Sequence, residues 1–257
     1  RYKKAEPLFE QSLIIEEKIL EPEHPSVATT LNNLGIVYRK QGKYEEAEQL
    51  YKRALAIDKK ALGSEHPSVA IALNNLADLY EKQKRYEEAE SLWKQAMAIM
   101  KKAPESDPPT LATVSGNLAD LYRKQKKYKE AESLWKQALE INKKVFGPQH
   151  PKVSVIFSKL AYLCRKQNRY EEAESLWKQS LEIVKKEHGP QHHFAASIFN
   201  NLAGMYKKQG RYEEAESLWK QALTIREKKY GPQHPSVVKI RKRLDELPGD
   251  EENELSD

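Results

Sequence analysis

A tyrosine recurs every 42 residues along this 257-residue chain without a single insertion. An alanine follows it three positions later and another aromatic residue follows it seven positions later. A fixed period between 20 and 50 residues is typical of repeat architectures, in which each repeat packs mainly against its neighbours. The tyrosines are Tyr2, Tyr44, Tyr86, Tyr128, Tyr170 and Tyr212, and the later aromatic residues are Phe9, Tyr51, Trp93, Trp135, Trp177 and Trp219.

Each repeat carries two stretches with the spacing of an amphipathic helix. Apolar residues recur at i, i+3, i+4 and i+7 from Leu73 to Tyr80, and Tyr86, Ala89, Trp93, Ala96 and Met97 follow the same helical spacing. A short polar turn separates the two stretches, and a glycine or proline segment separates one repeat from the next. The sequence therefore predicts an all-α fold of antiparallel helix pairs.

Composition supports a thin stack of helices rather than a sphere. Apolar residues make up 39% of the chain, charged residues 32%, and the mean hydropathy is −0.82. A compact sphere of this length needs a larger apolar share for its core. We find no apolar run long enough to cross a membrane, no signal-peptide pattern and one cysteine, Cys164, so we expect a cytoplasmic protein without disulfides.

Two recurring patterns resemble a known family. The order Leu-x-x-Leu-Gly/Ala-x-x-Tyr, followed by Tyr-x-x-Ala-x-x-x-Trp/Tyr-x-x-Ala, resembles the tetratricopeptide repeat (TPR). The 42-residue form, with Leu-Asn-Asn-Leu-Ala and a Gly-x-x-His-Pro linker, is similar to the repeats of kinesin light chains, nephrocystin and bacterial relatives. The resemblance covers residues 1–247 and implies a right-handed α-solenoid, the TPR superhelix.

The repeat register predicts the organisation of the chain. We expect a half repeat, five helix pairs, a polar-faced capping helix and a disordered acidic tail. Because the chain begins at a second helix, we expect a fragment of a longer protein, in which Leu8, Phe9, Leu13 and Ile14 are incompletely covered and could support self-association. The segments are 1–20 (half repeat), 26–62, 68–102, 110–146, 152–188 and 194–230 (pairs), 236–247 (cap) and 248–257 (tail).

No residue pattern points to catalysis, a cofactor or a metal. Cys164 replaces a tyrosine of the packed face, which predicts a core residue. One histidine per repeat precedes the first helix in most repeats and fits a helix-start role, with a weak metal site at His188, His192 and His193 as the alternative. We find no phosphate-binding loop or nucleophile motif and predict that the protein is not an enzyme.

Asparagines inside the first helices are the candidates for binding. Asparagine is a poor mid-helix residue, so its recurrence needs a reason. One interpretation is a hydrogen bond to the neighbouring helix. The other, implied by the family, is that the amides hold the backbone of an extended peptide in a concave groove, with cations flanking them. The predicted groove residues are Asn32, Asn33, Arg39, Asn74, Asn75, Asn117, Arg123, Lys159, Arg165, Asn200, Asn201 and Lys207.

The leading functional hypothesis is a non-catalytic scaffold for short linear peptides. Resemblance to kinesin light chains implies acidic peptides with an aromatic or apolar anchor. Residues 1–247 carry 44 Lys and Arg against 33 Asp and Glu, a net charge of +11, which leaves nucleic-acid binding as an alternative. Self-association through the half repeat is a further alternative, and the acidic tail is another candidate occupant of the groove.

Overall fold

The computed structural model describes residues 2–103 and 107–248, and over these ranges it contains twelve α-helices and no strand. The predicted all-α fold of helix pairs is therefore confirmed. The segment 249–257, most of the predicted acidic tail, lies outside the described residues. The helices are α1 (Tyr2–Ile19), α2 (Pro25–Gln41), α3 (Tyr44–Leu62), α4 (Pro67–Lys82), α5 (Tyr86–Lys102), α6 (Pro108–Lys124), α7 (Tyr128–Phe146), α8 (Pro151–Lys166), α9 (Tyr170–His188), α10 (His193–Lys208), α11 (Tyr212–Tyr230) and α12 (Pro235–Asp245).

The helices form two compact units, an N-terminal unit of residues 1–141 and a C-terminal unit of residues 142–257. Within the N-terminal unit, α2 packs on α3 and α4 packs on α5, and each first helix also contacts the second helix of the preceding repeat. Within the C-terminal unit, α8 with α9 and α10 with α11 repeat this arrangement, and α12 packs on α11. Each unit is therefore a stack of antiparallel helix pairs.

A histidine caps the N-terminus of five first helices. In α4, the ring Nδ1 of His66 accepts a hydrogen bond of 3.2 Å from the backbone N–H of Ser68, which would otherwise lack an intrahelical partner. His24, His150, His192 and His234 make the same bond, and Asp107 takes this role for α6. A proline in the first turn follows in α2, α4, α6, α8 and α12, where its missing N–H costs nothing.

A large aromatic side chain is buried where each second helix meets its first helix. Trp93 in α5 is 2% exposed and Trp219 in α11 is 1% exposed, and Tyr51, Trp135 and Trp177 are fully buried. Such rings bury on the order of 150–250 Å² each and dominate the packing of a thin layer. Small alanines, for example Ala89 and Ala215, let the helices approach next to these rings.

A three-residue contact joins successive repeats on the other side of this core. The Tyr80 hydroxyl in α4 donates to Glu48 of α3 at 3.0 Å, and Arg85 donates to the same carboxylate at 3.0 Å. The Arg85 guanidinium also lies 3.6 Å from the centre of the Tyr80 ring. Tyr206, Glu174 and Arg211 form the corresponding set in the C-terminal unit, where burial and then the bond to Glu174 raise the pKa of Tyr206 to about 12.

Asp58 is a polar residue inside the apolar packing of the N-terminal unit. It is 3% exposed, and burial raises the pKa of its carboxyl from 3.8 to about 6, an effect that the nearby His66 opposes. The same register holds Met100, Asn142 and Val184 in later repeats, and each of these is also buried. The folded state therefore binds a proton at Asp58 more tightly than the unfolded chain does.

We predict that Asp58→Asn stabilises the protein at pH 7.5 by about 1–3 kcal/mol, because it removes a buried charge while keeping the shape. As pH rises from about 4 to 6, Asp58 ionises and the free energy of unfolding of the wild type falls. At pH 4 the carboxyl of folded Asp58 is protonated, so Asp58→Asn should give no advantage there. Urea unfolding at the two pH values measures the difference. Asp245→Asn, at an exposed residue of α12, is the matched control. An effect of Asp58→Asn on the free energy of unfolding that is equal at the two pH values would contradict the raised pKa of Asp58.

Candidate functional site

The twelve residues that the sequence singles out all lie on first helices, at three registers of the repeat. Asn32, Asn74 and Asn200 share the first amide register. The second amide register follows one residue later, and the cation register six residues after that. The second amide register holds Asn33, Asn75, Asn117, Lys159 and Asn201, and the cation register holds Arg39, Glu81, Arg123, Arg165 and Lys207.

In the N-terminal unit the two amide registers bond to each other across repeats. Asn75 Nδ2 donates to Asn32 Oδ1 at 3.3 Å, and Asn117 Nδ2 donates to Asn74 Oδ1 at 3.0 Å. Asn74 Oδ1 also accepts from the indole N–H of buried Trp93 at 3.0 Å. The first amide of a repeat is therefore an acceptor that ties its own second helix and the next first helix together.

In the C-terminal unit the same acceptor role falls to Asn200, whose Oδ1 receives a bond of 2.5 Å from Arg243 of α12. Arg243 stands 42 residues after Asn201 and so occupies the second amide register. In α8 the first amide register holds Ser158, which bonds instead to Ser180 at 2.9 Å. The indole N–H of Trp177 has no hydrogen-bond partner among the described residues, because serine is too short to replace the asparagine amide.

The cation register pairs with a position 39 residues further on, which we name the carboxylate register. Arg39 lies 2.5 Å from Asp78, and Lys207 lies 3.7 Å from the Glu246 carboxylate and 3.1 Å from its backbone oxygen. Each pair joins the first helix of one repeat to that of the next. Arg123 and Arg165 differ, because Tyr162 and Gly204 stand at their carboxylate registers.

Glu81 reverses the charge of the cation register in the second repeat. It is 8% exposed and pairs with Lys82 and with Lys124 of the following first helix. Arg123 lies 3.5 Å from Asp120 on its own helix. The first helices of the N-terminal unit therefore carry carboxylates next to most of their cations.

The first helices of the C-terminal unit surround a cavity of about 270 Å³. Three cations and one carboxylate line it, together with two amides, Gly204 and the ring of Trp219. Two buried donors at this cavity, Arg165 Nε and Trp219 Nε1, have no hydrogen-bond partner in the described part of the chain. The lining residues are Arg165, Asn200, Asn201, Gly204, Lys207, Trp219, Arg243 and Glu246.

One lysine of each second helix from α3 to α11 is paired with an acid four residues earlier on the same helix. Lys94 lies 2.7 Å from Glu90, four residues earlier, and Lys178 lies 2.6 Å from Glu174 in the same geometry. This arrangement does not build a surface of one sign, which a nucleic-acid backbone requires. The other pairs are Lys52–Glu48, Lys136–Glu132 and Lys220–Glu216.

The structure places the other candidate residues in packing or capping positions. Cys164 is 1% exposed in α8. The rings of His188, His192 and His193 lie in sequence with centroids 4.5 and 4.1 Å apart, and burial followed by neighbouring cationic groups lowers the pKa of His192 and His193. Over residues 2–103 and 107–248, no group of three or more His, Cys, Asp or Glu residues is arranged to hold a metal ion.

Sequence reasoning missed the partners that give these residues their roles. Asp78, Arg243 and Gly204 were not among the candidates; Arg243 shares the second amide register with Asn201, whereas Asp78 and Gly204 share a register without a candidate. The contacting side chains are 39 or 43 residues apart in the sequence, so a search at the repeat period of 42 residues does not find them.

A family model described as "Tetratricopeptide repeat" matches residues 1–60, 37–102, 110–186, 153–228 and 194–244. The chain belongs to the tetratricopeptide repeat family. This fold is typically a non-catalytic scaffold for other proteins. No helix in the described ranges is both long and apolar enough to cross a membrane.

Solved structures similar to this TPR chain are kinesin-light-chain-like. BtubC (BKLC) from P. vanneervenii is 25% identical, with a TM-score of 0.77 over 91% of this chain and 92% of that one. A kinesin-light-chain-like protein of Podospora anserina with nearly identical TPR-like repeats is 29% identical, with a TM-score of 0.70 over 82% of this chain and 99% of that one. No curated protein matches the sequence.

We predict that Asn74→Ala destabilises the N-terminal unit by about 1–3 kcal/mol, because it leaves the buried Trp93 N–H and the Asn117 amide without their acceptor. Denaturant unfolding followed by tryptophan fluorescence measures the loss. Asn33→Ala is the matched control, since this neighbouring amide makes no bond to Trp93 and should change stability by less than about 0.5 kcal/mol. Equal effects of the two substitutions would contradict the structural role of Asn74.

Proposed function

We propose that this TPR chain is a non-catalytic interaction scaffold that binds short acidic linear peptides along its first helices, in a kinesin-light-chain-like manner. The fold supports a protein-binding role in general. The observation that carries the acidic preference is the charge of the first helices in the C-terminal unit. There Arg165, Lys207 and Arg243 face one carboxylate, Glu246, around a single cavity.

The amides provide the complementary backbone recognition. Asn117 uses one N–H for the bond to Asn74, and its carbonyl oxygen remains suited to accept from a peptide N–H. Asn201 lies half-buried beside the cations of the cavity. An extended peptide that places its backbone on the second amide register would bring its side chains to the cation register. A carboxylate there would receive charge-assisted hydrogen bonds from Arg165.

The two units contribute differently to this proposal. In the N-terminal unit, Asp78 already neutralises Arg39, and Glu81 adds a further acid at the cation register. In the C-terminal unit, three cations and one carboxylate line the cavity, and Lys159 is a further cation of a first helix. We therefore assign the acidic part of the peptide to the C-terminal unit. An aromatic or apolar anchor in the peptide follows from the family resemblance.

A catalytic role is not part of the proposal. The thiol of Cys164 is buried to 1% exposure, so a substrate does not reach it. The histidines of the linkers accept hydrogen bonds from backbone N–H groups and begin helices. The ring Nδ1 atoms of these histidines are therefore engaged in capping helices. The polar cavity in the C-terminal unit is lined by cations and amides rather than by a nucleophile beside a base.

We predict that a peptide rich in Glu binds more tightly than its Gln counterpart of equal length, and that the advantage declines as NaCl rises from about 0.05 to 0.5 M. Isothermal titration measures both affinities. Arg165→Gln and Lys207→Gln should each weaken binding of the acidic peptide about tenfold. Lys220→Gln, at a lysine paired with Glu216 on a second helix, is the matched control and should change binding little. Equal affinity for both peptides at low salt would overturn the proposed preference.

A second candidate is self-association through α1. Leu8 is 67% exposed, Ile15 54% and Ile19 75%, and they lie along one side of the helix at spacings of seven and four residues. Ile57, the repeat equivalent of Ile15, is 5% exposed because a preceding first helix covers it. A second copy of the chain would supply apolar cover for this side of α1.

We predict a concentration-dependent dimer that Ile15→Lys abolishes, because the substitution places a charge in the centre of the apolar side of α1. Sedimentation over roughly a hundredfold range of protein concentration measures it. Val238→Lys is the matched control, since this exposed valine lies on α12. A wild-type chain that stays monomeric over the whole range would exclude the dimer.

A further inference from the structure

The linker between α9 and α10 differs from the other linkers in the ring that stacks on its capping histidine. The capping ring before α8 stacks on Phe146 with ring centroids 4.7 Å apart, and the capping ring before α12 stacks on Tyr230 at 4.6 Å. His192 caps α10, and its ring centroid lies 4.5 Å from that of His188, which stands at the repeat position of Phe146 and Tyr230. The cap of α10 therefore contacts an imidazole, the side chain type that takes up a proton in mild acid, rather than a phenylalanine or tyrosine ring.

The residue that follows this cap differs as well. The other helices with a histidine cap, α2, α4, α8 and α12, begin with a proline, whereas α10 begins with His193, whose ring centroid lies 4.1 Å from that of His192. Proline fixes the φ angle of the first helical residue in advance, which histidine does not. The cap bond is also longer, because the Phe194 N–H donates to His192 Nδ1 at 3.4 Å, against 3.2 Å in the other four helices. The start of α10 therefore depends on its cap without the support of a proline.

This cap bond requires an unprotonated Nδ1. The Nδ1 atom of His192 accepts from a backbone N–H, and a protonated imidazole has no acceptor because both of its nitrogens are donors. A positive charge at the N-terminus of a helix is also opposed by the helix dipole. Protonation of His192 therefore removes the acceptor and places a cation against the N–H groups of the first turn of α10.

The surroundings of the cap oppose this protonation in the folded protein. Arg226 and Lys229 of α11 and His188 of α9 are the groups outside α10 that act on the rings of His192 and His193. Burial first, and then these neighbouring groups, lower the pKa of both residues. The unfolded chain therefore takes up protons there more readily than the folded protein does. The free energy of unfolding consequently falls as pH drops below about 6.5.

We propose that His188, His192 and His193, which we name the histidine cluster, form an acid-sensitive cap that releases the first turn of α10 in mildly acidic solution. This turn carries Ala195 and Ala196, which are fully buried in the core of the C-terminal unit. Its release therefore weakens the packing of α10 on the neighbouring helices. The device goes beyond the proposed function, since it acts on the protein without a bound peptide.

Substitutions taken from another linker of the same unit test the histidine cluster. His188→Phe with His193→Pro gives the α9–α10 linker the residues that stand at Phe146 and Pro151, and it leaves the His192 cap in place. The reverse pair, Phe146→His with Pro151→His, builds the same cluster before α8. Each change introduces a residue that the repeat already accepts at that position, so both variants are expected to fold.

Hydrogen exchange of the full chain, measured by mass spectrometry at pH 7.5 and pH 5.5, locates the effect. Protection factors correct for the change of intrinsic exchange with pH, and EDTA in both buffers excludes metal binding by the histidines. In the wild type we expect the protection of residues 194–200 to fall about tenfold at the lower pH, and that of residues 152–158 in α8 to fall less. In His188→Phe/His193→Pro the fall in α10 should be no larger than that in α8. In the reverse variant, α8 should lose as much protection as α10 does.

A cap that does not titrate identifies the responsible group. His192→Asn keeps a good N-cap side chain that carries no charge, so α10 should lose less than about threefold of its protection between the two pH values. If His192→Asn loses as much protection as the wild type, His192 is not the sensor and the proposal is wrong. Equal losses in the wild type and in His188→Phe/His193→Pro, or equal losses in α8 and α10 of the wild type, would also overturn it. No peptide is present in these measurements, so their outcome leaves the scaffold proposal untouched.

Discussion

The burial of one large aromatic ring per repeat is the constraint on which the rest of the structure depends. Each helix pair is thin, so the ring at the Trp93 register supplies much of the apolar surface that holds the pair together. An indole differs from a phenyl ring because its N–H needs an acceptor when buried. Asn74 provides that acceptor for Trp93, and the same oxygen receives Asn117 from the next repeat. Packing within a pair and contact between pairs thus meet at a single amide.

This coupling explains why an asparagine that looks like a ligand-binding residue can serve the fold first. The sequence left two interpretations of the asparagines open, and one of them was a hydrogen bond to the neighbouring helix. Asn75 and Asn117 make such bonds. Indole N–H groups lack partners where the amide is absent, as at Trp177 with Ser158, or where it is engaged by another donor, as at Trp219 with Asn200. A buried donor without an acceptor is unfavourable by about 1–3 kcal/mol, so these repeats are less well satisfied than the second one. The C-terminal unit consequently combines unsatisfied indole donors with a cavity lined by three cations and one carboxylate.

The all-α helix-pair fold could be predicted from the sequence because its determinants are local and periodic. Tyr44 and Tyr86 begin second helices, and His66 with Pro67 begins a first helix, each within a few residues of its own signal. The candidate site could be located on the first helices but not resolved, because its contacts join residues 39 or 43 positions apart. The pairing of Arg39 with Asp78 depends on the offset between stacked helices, which periodicity alone does not supply.

The second helices are more similar to one another in sequence than the first helices are, which indicates different roles for the two helices of a repeat. Residues 85–95, 169–179 and 211–221 are identical in sequence, and they carry the buried tryptophan and the glutamate that joins Tyr122 or Tyr206. The first helices vary at the registers that face the cavity, where Asn74 becomes Ser158 and Asp78 becomes Gly204. These identical segments place the same tryptophan and glutamate in three repeats, whereas the registers that hold the candidate residues differ from one first helix to the next. In the N-terminal unit Asp78 pairs with Arg39, whereas the C-terminal unit has Gly204 at the position equivalent to Asp78, so the charge of the first helices is set repeat by repeat.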